Sequence, residues 1–174
     1  MVRRHPPPRV WLMTDERLGD GLFEAIERLP AGAGIVFRHY SLPEKERRAL
    51  FDQAKAVSRP RGLKLLLAGP SAQARAWGAD GSHGRGRGAG FRSAPAHNLR
   101  EIRAAERAGA NLLFLSPVYT TRSHAGGGRL GSARFTLLAR QTELPVVALG
   151  GMTRQRAERL RGAYGWAAID FWSD

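Results

Sequence analysis

The sequence contains no cysteine and very little lysine, and both shortages limit what the protein can do. The absence of cysteine from its 174 residues excludes disulfides, thiolate nucleophiles and cysteine-based zinc sites. The lysines are Lys45, Lys55 and Lys64 among 28 basic residues, so the positive charge comes almost entirely from arginine. His, Asp and Glu remain as the strong metal ligands.

Long apolar runs are missing as well. The longest, such as Leu65–Ala68 and Leu112–Leu115, are far shorter than the ~20 residues that span a bilayer. Residues 1–9 carry charge and three prolines but no apolar stretch, so they do not resemble a signal peptide and we expect them to be flexible. With 43% hydrophobic and 25% charged residues, the composition is globular. We expect one cytoplasmic domain over residues 1–174, with no membrane contact.

The excess of positive charge raises the question of a nucleic-acid partner. The formal net charge is +13, but the arginines are spread along every segment without a block of five like charges, which favours a compositional bias. One stretch, Gly84–Gly88, reads Gly-Arg-Gly-Arg-Gly and in a single copy is typical of a flexible loop. We expect no nucleic-acid partner, and a non-catalytic phosphate-ligand or RNA-binding protein stays as an alternative.

Short apolar strands alternate with amphipathic helices along the chain, a pattern that predicts parallel strands joined by right-handed crossovers. The predicted strands are Val10–Thr14, Gly34–His39, Leu63–Ala68, Gly81–His83, Phe91–Ser93, Leu112–Val118, Pro145–Leu149 and Trp166–Phe171. The predicted helices are Leu18–Arg28, Glu44–Val57, Ala72–Trp77, Leu99–Ala108, Ser132–Gln141 and Arg154–Tyr164.

Eight strands predict an α/β fold of the short TIM-type, a (β/α)8 barrel, although such barrels typically need about 250 residues. Gly84–Gly90 leaves no room for a helix between strands four and five, and little chain follows strand eight. The barrel is therefore expected to lack its fourth and eighth outer helices and to expose apolar strand surface, so a homodimer that covers it is a hypothesis. An open doubly wound sheet is the alternative, although no G-x-G-x-x-G follows the first strand.

Four histidines fall where predicted strands end, which is where such barrels hold their chemistry. They are His39, His83, His97 and His124. Taken singly, His39, His83 and His124 are expected to be solvated loop residues. As a set they could line one pocket with a group that titrates near neutral pH. No HxH or H-x-x-x-H pair occurs, so we expect no zinc site.

The ends of strands six and seven carry the most specific pattern. Ser116–His124 leads into a glycine-rich loop, and Gly150 and Gly151 form a turn that opens a helix. Glycines there let a ligand approach backbone N–H groups, and a helix N-terminus favours an anion. Together with the end of strand eight, this is where barrels of this kind hold phosphate.

Four segments resemble the thiamine phosphate synthase/TenI family of short barrels. Trp11–Asp15 resembles the family's opening strand, and Gly78–His83 resembles its GADGVH segment. Pro117–His124 is similar to its P-[VI]-[FY]-P-T-x-T-K loop, and Val146–Thr153 to its V-x-A-I-G-G-[IM]-T strand. The resemblance runs through most of the chain and implies a protein of thiamine biosynthesis.

The resemblance implies one of two activities. Family synthases join a pyrimidine pyrophosphate to a thiazole phosphate with Mg²⁺, held by aspartates after strands three and four. Here Ala68–Pro70 and Arg85–Gly88 stand at those places without a carboxylate, although Mg²⁺ requires oxygen ligands. In the R-x-K that clamps pyrophosphate, Arg38 is retained and Tyr40 replaces the lysine. An atypical synthase remains an alternative, in which arginine charge would replace the metal.

The tautomerase branch needs no metal and moves a proton on a thiazole carboxylate phosphate by means of a histidine after strand five. His97 occupies that position, with Pro95 where the family has a serine and Ser93 close by. The resemblance therefore implies a thiazole tautomerase with His97 as acid/base, with no metal ligands and no cofactor, and with Mg²⁺ only for the synthase. Its implied ligand contacts are Arg38 on a second anionic group, Thr121, Ser123 and His124 closing over the ligand, and Gly150 and Gly151 on the phosphate.

Overall fold

A computed structural model of the chain describes residues 6–120 and 128–172. Eight parallel strands form a closed barrel in the order in which they occur in the sequence. The strands are β1 Val10–Met13, β2 Gly34–Phe37, β3 Lys64–Ala68, β4 Gly81–His83, β5 Arg92–Ala96, β6 Leu112–Leu115, β7 Val146–Leu149 and β8 Gly165–Ala168. The predicted TIM-type barrel is confirmed.

Pairing of the first strand with the last closes the barrel, with Leu12 opposite Ala168. Strands such as β6 are buried on both faces, as expected of parallel strands covered by helices outside and by side chains inside.

Side chains from alternate strand positions fill the barrel interior. Trp11 and Phe114 meet there edge to face, with ring centroids 5.4 Å apart, and both are fully buried. Gly34 is required beside them, because a Cβ at this position would lie 2.2 Å from the Trp11 ring. The interior is therefore a packed core rather than an open channel.

Six α-helices within the described residues pack around the strands. They are α1 Leu22–Glu27, α2 Glu44–Ser58, α3 Ser71–Ala76, α4 Leu99–Arg107, α5 Gly131–Ala139 and α6 Arg154–Arg159. All six lie within one residue of a predicted helix or inside it. Helix α4 shows why: Asn98 accepts a hydrogen bond from the Glu101 N–H at its start, and Ile102 and Ala105 face the core.

Two helices are shorter than predicted. The 3-10 helix Glu16–Gly21 takes the place of the first part of the predicted helix Leu18–Arg28, ahead of α1. Gly19 within it adopts φ 47°, which no α-helix accommodates. Helix α6 ends at Arg159 rather than at Tyr164, because Leu160 is extended and Gly162 follows with φ 81°.

Strand ends also differ from the prediction. Strand β5 continues through Pro95 to Ala96, where the Ala96 carbonyl still accepts a hydrogen bond from the Ser116 N–H at 3.0 Å. Strand β6 stops at Leu115, ahead of a cis peptide bond between Ser116 and Pro117. Strand β6 therefore ends three residues earlier, and β5 three residues later, than expected.

The gap left by the missing fourth helix is closed by polar contacts. Residues 84–91 contain no helix, as predicted. The side chain of Arg92, 3% exposed, donates hydrogen bonds to the carbonyls of Gly86 and Ala108. Ser71 and Ser82 share a buried hydroxyl hydrogen bond of 2.8 Å. The β4–β5 loop is thereby fixed against the outside of the barrel.

Aromatic side chains cover β8. After β8 the described residues form a 3-10 turn, Asp170–Trp172. Trp172 stacks on Trp166 with centroids 5.4 Å apart, and Phe171 contacts both rings edge on. The Trp172 carbonyl accepts a hydrogen bond from Arg28 at 2.9 Å.

These two closures correct one expectation. The strand surface that we expected a partner to cover is buried by the chain itself: Trp166 is 7% and Ala94 1% exposed. The homodimer remains a hypothesis without that argument.

The segment before β1 closes the other end of the barrel. The carbonyls of Pro7, Pro8 and Arg9 accept hydrogen bonds from the Tyr164 hydroxyl, the Trp11 indole and the Trp166 N–H. Of the nine residues expected to be flexible, these three are held by the barrel. None of the helices in the described residues is long and apolar enough to cross a membrane.

Candidate active site

Ion pairs join the ends of β1 and β2 at the barrel mouth. The Arg38 guanidinium donates to the Thr14 carbonyl at 2.6 Å and to the Asp15 carboxylate at 2.8 Å. Asp15 also pairs with Arg17 at 2.7 Å. Partial burial opposes ionisation of Asp15, but the hydrogen bonds and charges of Arg17 and Arg38 hold its pKa below the ordinary value. Arg38 is thus fixed at the rim with a partly exposed side chain.

His39 is buried rather than solvated, contrary to the sequence-based expectation. It is 4% exposed, lies against the Phe37 ring with centroids 4.7 Å apart, and shares a 3.1 Å hydrogen bond with the Thr14 hydroxyl. Burial lowers the pKa of His39. Its φ of 42° turns the chain at the end of β2, so its place in the structure is explained by the turn and by packing.

His83, the last residue of β4, is also buried, at 7% exposure. Its Nδ1 lies 2.9 Å from the Ser93 hydroxyl, and its ring meets Phe114 edge on with centroids 5.3 Å apart. Burial, with a smaller effect of the Arg38 charge, lowers the pKa of His83 to about 4. The expectation that the histidines form a set titrating near neutral pH is therefore wrong for His83, and burial lowers the pKa of His39 in the same direction.

His97 lies in a different environment, between β5 and α4. Its Nδ1 is 2.7 Å from a Glu101 carboxylate oxygen that also accepts the His97 backbone N–H at 2.9 Å. The second carboxylate oxygen lies 3.3 Å from Arg85. Ser93, which the sequence places nearby, is bonded to His83 instead. The His97 side chain is 37% exposed.

Glu101 holds the imidazole through two hydrogen bonds. Partial burial alone would raise the pKa of Glu101, but the hydrogen bonds and charges of His97, with Arg85, lower it. Glu101 is therefore ionised at neutral pH, and it fixes which ring nitrogen of His97 faces away from the helix. Sequence reasoning missed Glu101, although its place three residues after an Asn N-cap is a capping pattern.

A cavity of about 240 Å³ opens between the ends of β6, β7 and β8. Its lining consists of Thr120, Leu149, Gly150, Gly151, Met152, Ala168, Ile169, Asp170 and Phe171. The structure therefore places the two predicted glycines together at a site large enough for a small ligand.

Both glycines are also required by the loop after β6. Gly150 has φ 99°, and a Cβ there would lie 2.8 Å from Pro117; Gly151 has φ 59°, and a Cβ there would lie 2.5 Å from the Thr120 carbonyl. The Gly151 carbonyl accepts a hydrogen bond from Arg156. The close approach of two loops thus explains both glycines, with or without a phosphate.

Asp170 lines the same cavity and was not expected there. Its carboxylate lies 3.9 Å from Arg17 and is about half exposed. The sequence indicated this residue only by its position at the end of strand eight, where barrels of this kind hold phosphate. The predicted ligand contacts Thr121, Ser123 and His124 lie outside the described residues.

The rim was also compared with the needs of Mg²⁺, which requires oxygen ligands. Residues 68–70 and 84–88 carry no carboxylate, and the described residues contain no group of three His, Asp or Glu side chains that could hold a metal. The carboxylates of Asp15 and Glu101 are engaged by Arg17, Arg38, His97 and Arg85. The described residues therefore do not fit Mg²⁺.

Comparison with known proteins places these features in context. Residues 93–170 match the family model described as "Thiamine monophosphate synthase". The chain is 29% identical over 181 residues to "Putative thiamine-phosphate synthase 2" of Aquifex aeolicus (strain VF5), covering 93% of this chain and 96% of that protein. It is 29% identical over 180 residues to "Thiamine-phosphate synthase" of Azorhizobium caulinodans, covering 92% of this chain and 84% of that protein.

A solved structure has the same fold. "Thiamine phosphate pyrophosphorylase from Pyrococcus furiosus" superposes with a TM-score of 0.78 at 22% identity, covering 93% of this chain and 85% of that one. The matched family segment begins in β5 and includes His97, the two glycines and Asp170.

Proposed function

This chain belongs to the thiamine phosphate synthase/TenI family, whose members act in thiamine biosynthesis, and from that premise we propose that it tautomerises a thiazole carboxylate phosphate without a metal. The acid/base is His97. The ligand's phosphate occupies the cavity beside Gly150 and Gly151. Arg38, held at the rim by Thr14 and Asp15, meets the carboxylate of the ligand.

The hydrogen bond of 2.7 Å between His97 Nδ1 and Glu101 carries this proposal. A partly exposed imidazole held by a carboxylate through one nitrogen presents the other, Nε2, in a fixed direction. Such a group can take a proton from a carbon of the ligand and return one to another carbon. The composition of the ligand is unchanged, and the thiazole ring becomes aromatic.

Glu101 positions His97 and compensates the charge of the imidazolium while it holds the proton. His83 takes no part in this transfer, because it is buried and its low pKa makes it a weak proton acceptor. Its ring packs edge on against Phe114.

The second candidate is a thiamine phosphate synthase, which is the activity in the names of the relatives. The absence of carboxylates at residues 68–70 and 84–88 argues against it, because the ionisation of a pyrophosphate needs a compensating cation. Arg38 and Arg85 at the rim are the groups that would have to supply this charge.

Turnover of the thiazole carboxylate phosphate in the presence of a chelator tests the proposal. We expect His97→Ala to lower kcat by at least about 100-fold, with ligand affinity within a few-fold of the original. Glu101→Gln should lower kcat by about ten-fold with little change in KM.

Glu106→Gln is the matched control for Glu101→Gln. Glu106 lies on the same helix and is also hydrogen-bonded, to Arg103 and Thr142, but on the side away from the mouth. Unchanged turnover in His97→Ala would show that another group moves the proton. Product formed from pyrimidine pyrophosphate and thiazole phosphate with Mg²⁺ would favour the synthase.

A further inference from the structure

We propose that Asp170 selects the end group of the ligand, so that the cavity takes a phosphate ester carrying one proton and rejects a fully ionised anion of the same shape. The inference rests on the proposed function, because it concerns the phosphate end of the same ligand. It assigns a specificity-determining role to a carboxylate at a place where an anion must bind.

The lining of the cavity carries the first step. Gly150, Gly151 and Asp170 line one cavity of about 240 Å³, so an anion bound there shares the space with the carboxylate. Asp170 lies 3.9 Å from Arg17, which is an ion pair beyond hydrogen-bond distance. The carboxylate oxygens are therefore not saturated by this contact and can accept a hydrogen bond from a ligand.

The chemistry of acceptors gives the second step. A carboxylate repels an anion without a hydrogen, but it accepts a strong hydrogen bond from an O–H group. A phosphate ester has its second pKa near 6 and so carries such a hydrogen in part of its population near neutral pH. A sulfate ester has the same tetrahedral shape and no hydrogen to donate. A free hydroxyl shares the donor chemistry without the anionic charge.

The surrounding charges favour the anion rather than the alcohol. Arg17 stands beside Asp170 and also pairs with Asp15 at 2.7 Å. Arg156 lies beside Gly151, whose carbonyl accepts its hydrogen bond, and its guanidinium covers the Tyr119 ring at 4.7 Å. Arg17 beside Asp170 and Arg156 beside Gly151 place positive charge at the cavity, which suits an end group with one negative charge and one donor, a singly protonated phosphate ester.

Isothermal titration at pH 6 with three ligands tests this. The ligands are one thiazole bearing a phosphate ester, the same thiazole bearing a sulfate ester, and the same thiazole with a free hydroxyl. We expect the phosphate ester to bind at least about ten-fold more tightly than the sulfate ester and more tightly than the alcohol. In Asp170→Asn the two esters should bind within about two-fold of each other.

Asp52→Asn is the matched control, because Asp52 is a similarly exposed, ion-paired aspartate on the remote helix α2. It should keep the selectivity. Equal binding of both esters to the unaltered protein, stronger binding of the alcohol, binding of none of the three, or selectivity retained in Asp170→Asn would each overturn the inference. The proposed function is tested by a different measurement, the turnover of His97→Ala. Its failure can therefore be distinguished from the failure of this inference.

Discussion

His83 and His97 lie at the ends of neighbouring strands, but their surroundings differ in exposure and in hydrogen-bond partners. His83 is enclosed between Ser93 and Phe114 without a charged partner in hydrogen-bond contact, so it stays neutral. His97 is partly exposed and bonded to an ionised carboxylate. A histidine suited to exchange protons needs access and an orienting partner, and within the described residues His97 has both.

Burial of His83 makes the stability of the fold depend on pH. The unfolded chain binds a proton at this residue near pH 6.5, whereas the folded chain binds it only near pH 4. Acidification from pH 6.5 to pH 4 therefore favours the unfolded state, and we expect a loss of about 3 kcal/mol in the free energy of unfolding. Urea denaturation across this range measures it.

His83→Asn serves as the comparison, because the amide does not titrate. Its stability curve should be flatter than that of the original protein between pH 6.5 and pH 4. A loss of equal size in His83→Asn would assign the pH dependence to other groups.

How far single residues could be predicted depended on whether their role is local. The position of His97 after a strand was predicted, because the end of an apolar run is a local signal. Burial of His39 and His83 was not, because it depends on residues from other strands, Thr14 for His39 and Phe114 for His83. Asp170 was missed since its meaning arises only where β8 ends beside the turn after β7.

Two missing helices are compensated differently at the level of elements. The β4–β5 gap is closed by Arg92 reaching the carbonyls of Gly86 and Ala108. The gap after β8 is closed by Trp166, Phe171 and Trp172. The first closure satisfies backbone carbonyls beside β5, and the second buries apolar surface beside β8. Each strand is thus covered without a full helix.

The aromatic closure should contribute strongly to stability. Trp172 is 4% exposed and stacks on Trp166, so Trp172→Ala removes a buried ring and leaves a cavity. We expect a loss of about 3–5 kcal/mol in the free energy of unfolding, measured by denaturant titration. Leu137→Ala, at a residue 63% exposed, should change it by less than about 0.5 kcal/mol. A small effect at Trp172 would show that the closure is dispensable.

Sequence periodicity predicted all eight strands and the six helices, but not all of their ends. Alternation and apolar runs are local signals, and they remain valid in the folded barrel. The ends failed where one residue's backbone decided, as with Gly19 at φ 47°, or where the partner strand decided, as with Pro95 inside β5. The cover over β8 was not predicted, because it depends on how the turn Asp170–Trp172 brings Trp172 back onto Trp166.

At the scale of the whole molecule, the interior of the barrel is packed with side chains, so the candidate functional groups lie at the rim. They form two separate groups there. His97 with Glu101 lies at β5, and the cavity beside Gly151 and Asp170 lies at β7 and β8. A ligand that spans the mouth can place a reactive carbon at one end and a phosphate at the other. This division supports a proton transfer on a bound ligand and needs no bound metal.

The most direct measurement is deuterium incorporation into the thiazole carboxylate phosphate in D₂O, followed by NMR in the presence of a chelator. The account predicts that the unaltered protein introduces deuterium at the carbon that receives the proton, and that His97→Ala introduces none above the uncatalysed rate while still binding the ligand. Equal incorporation by both proteins, or none by the unaltered protein with bound ligand, would contradict the assignment of His97 as acid/base.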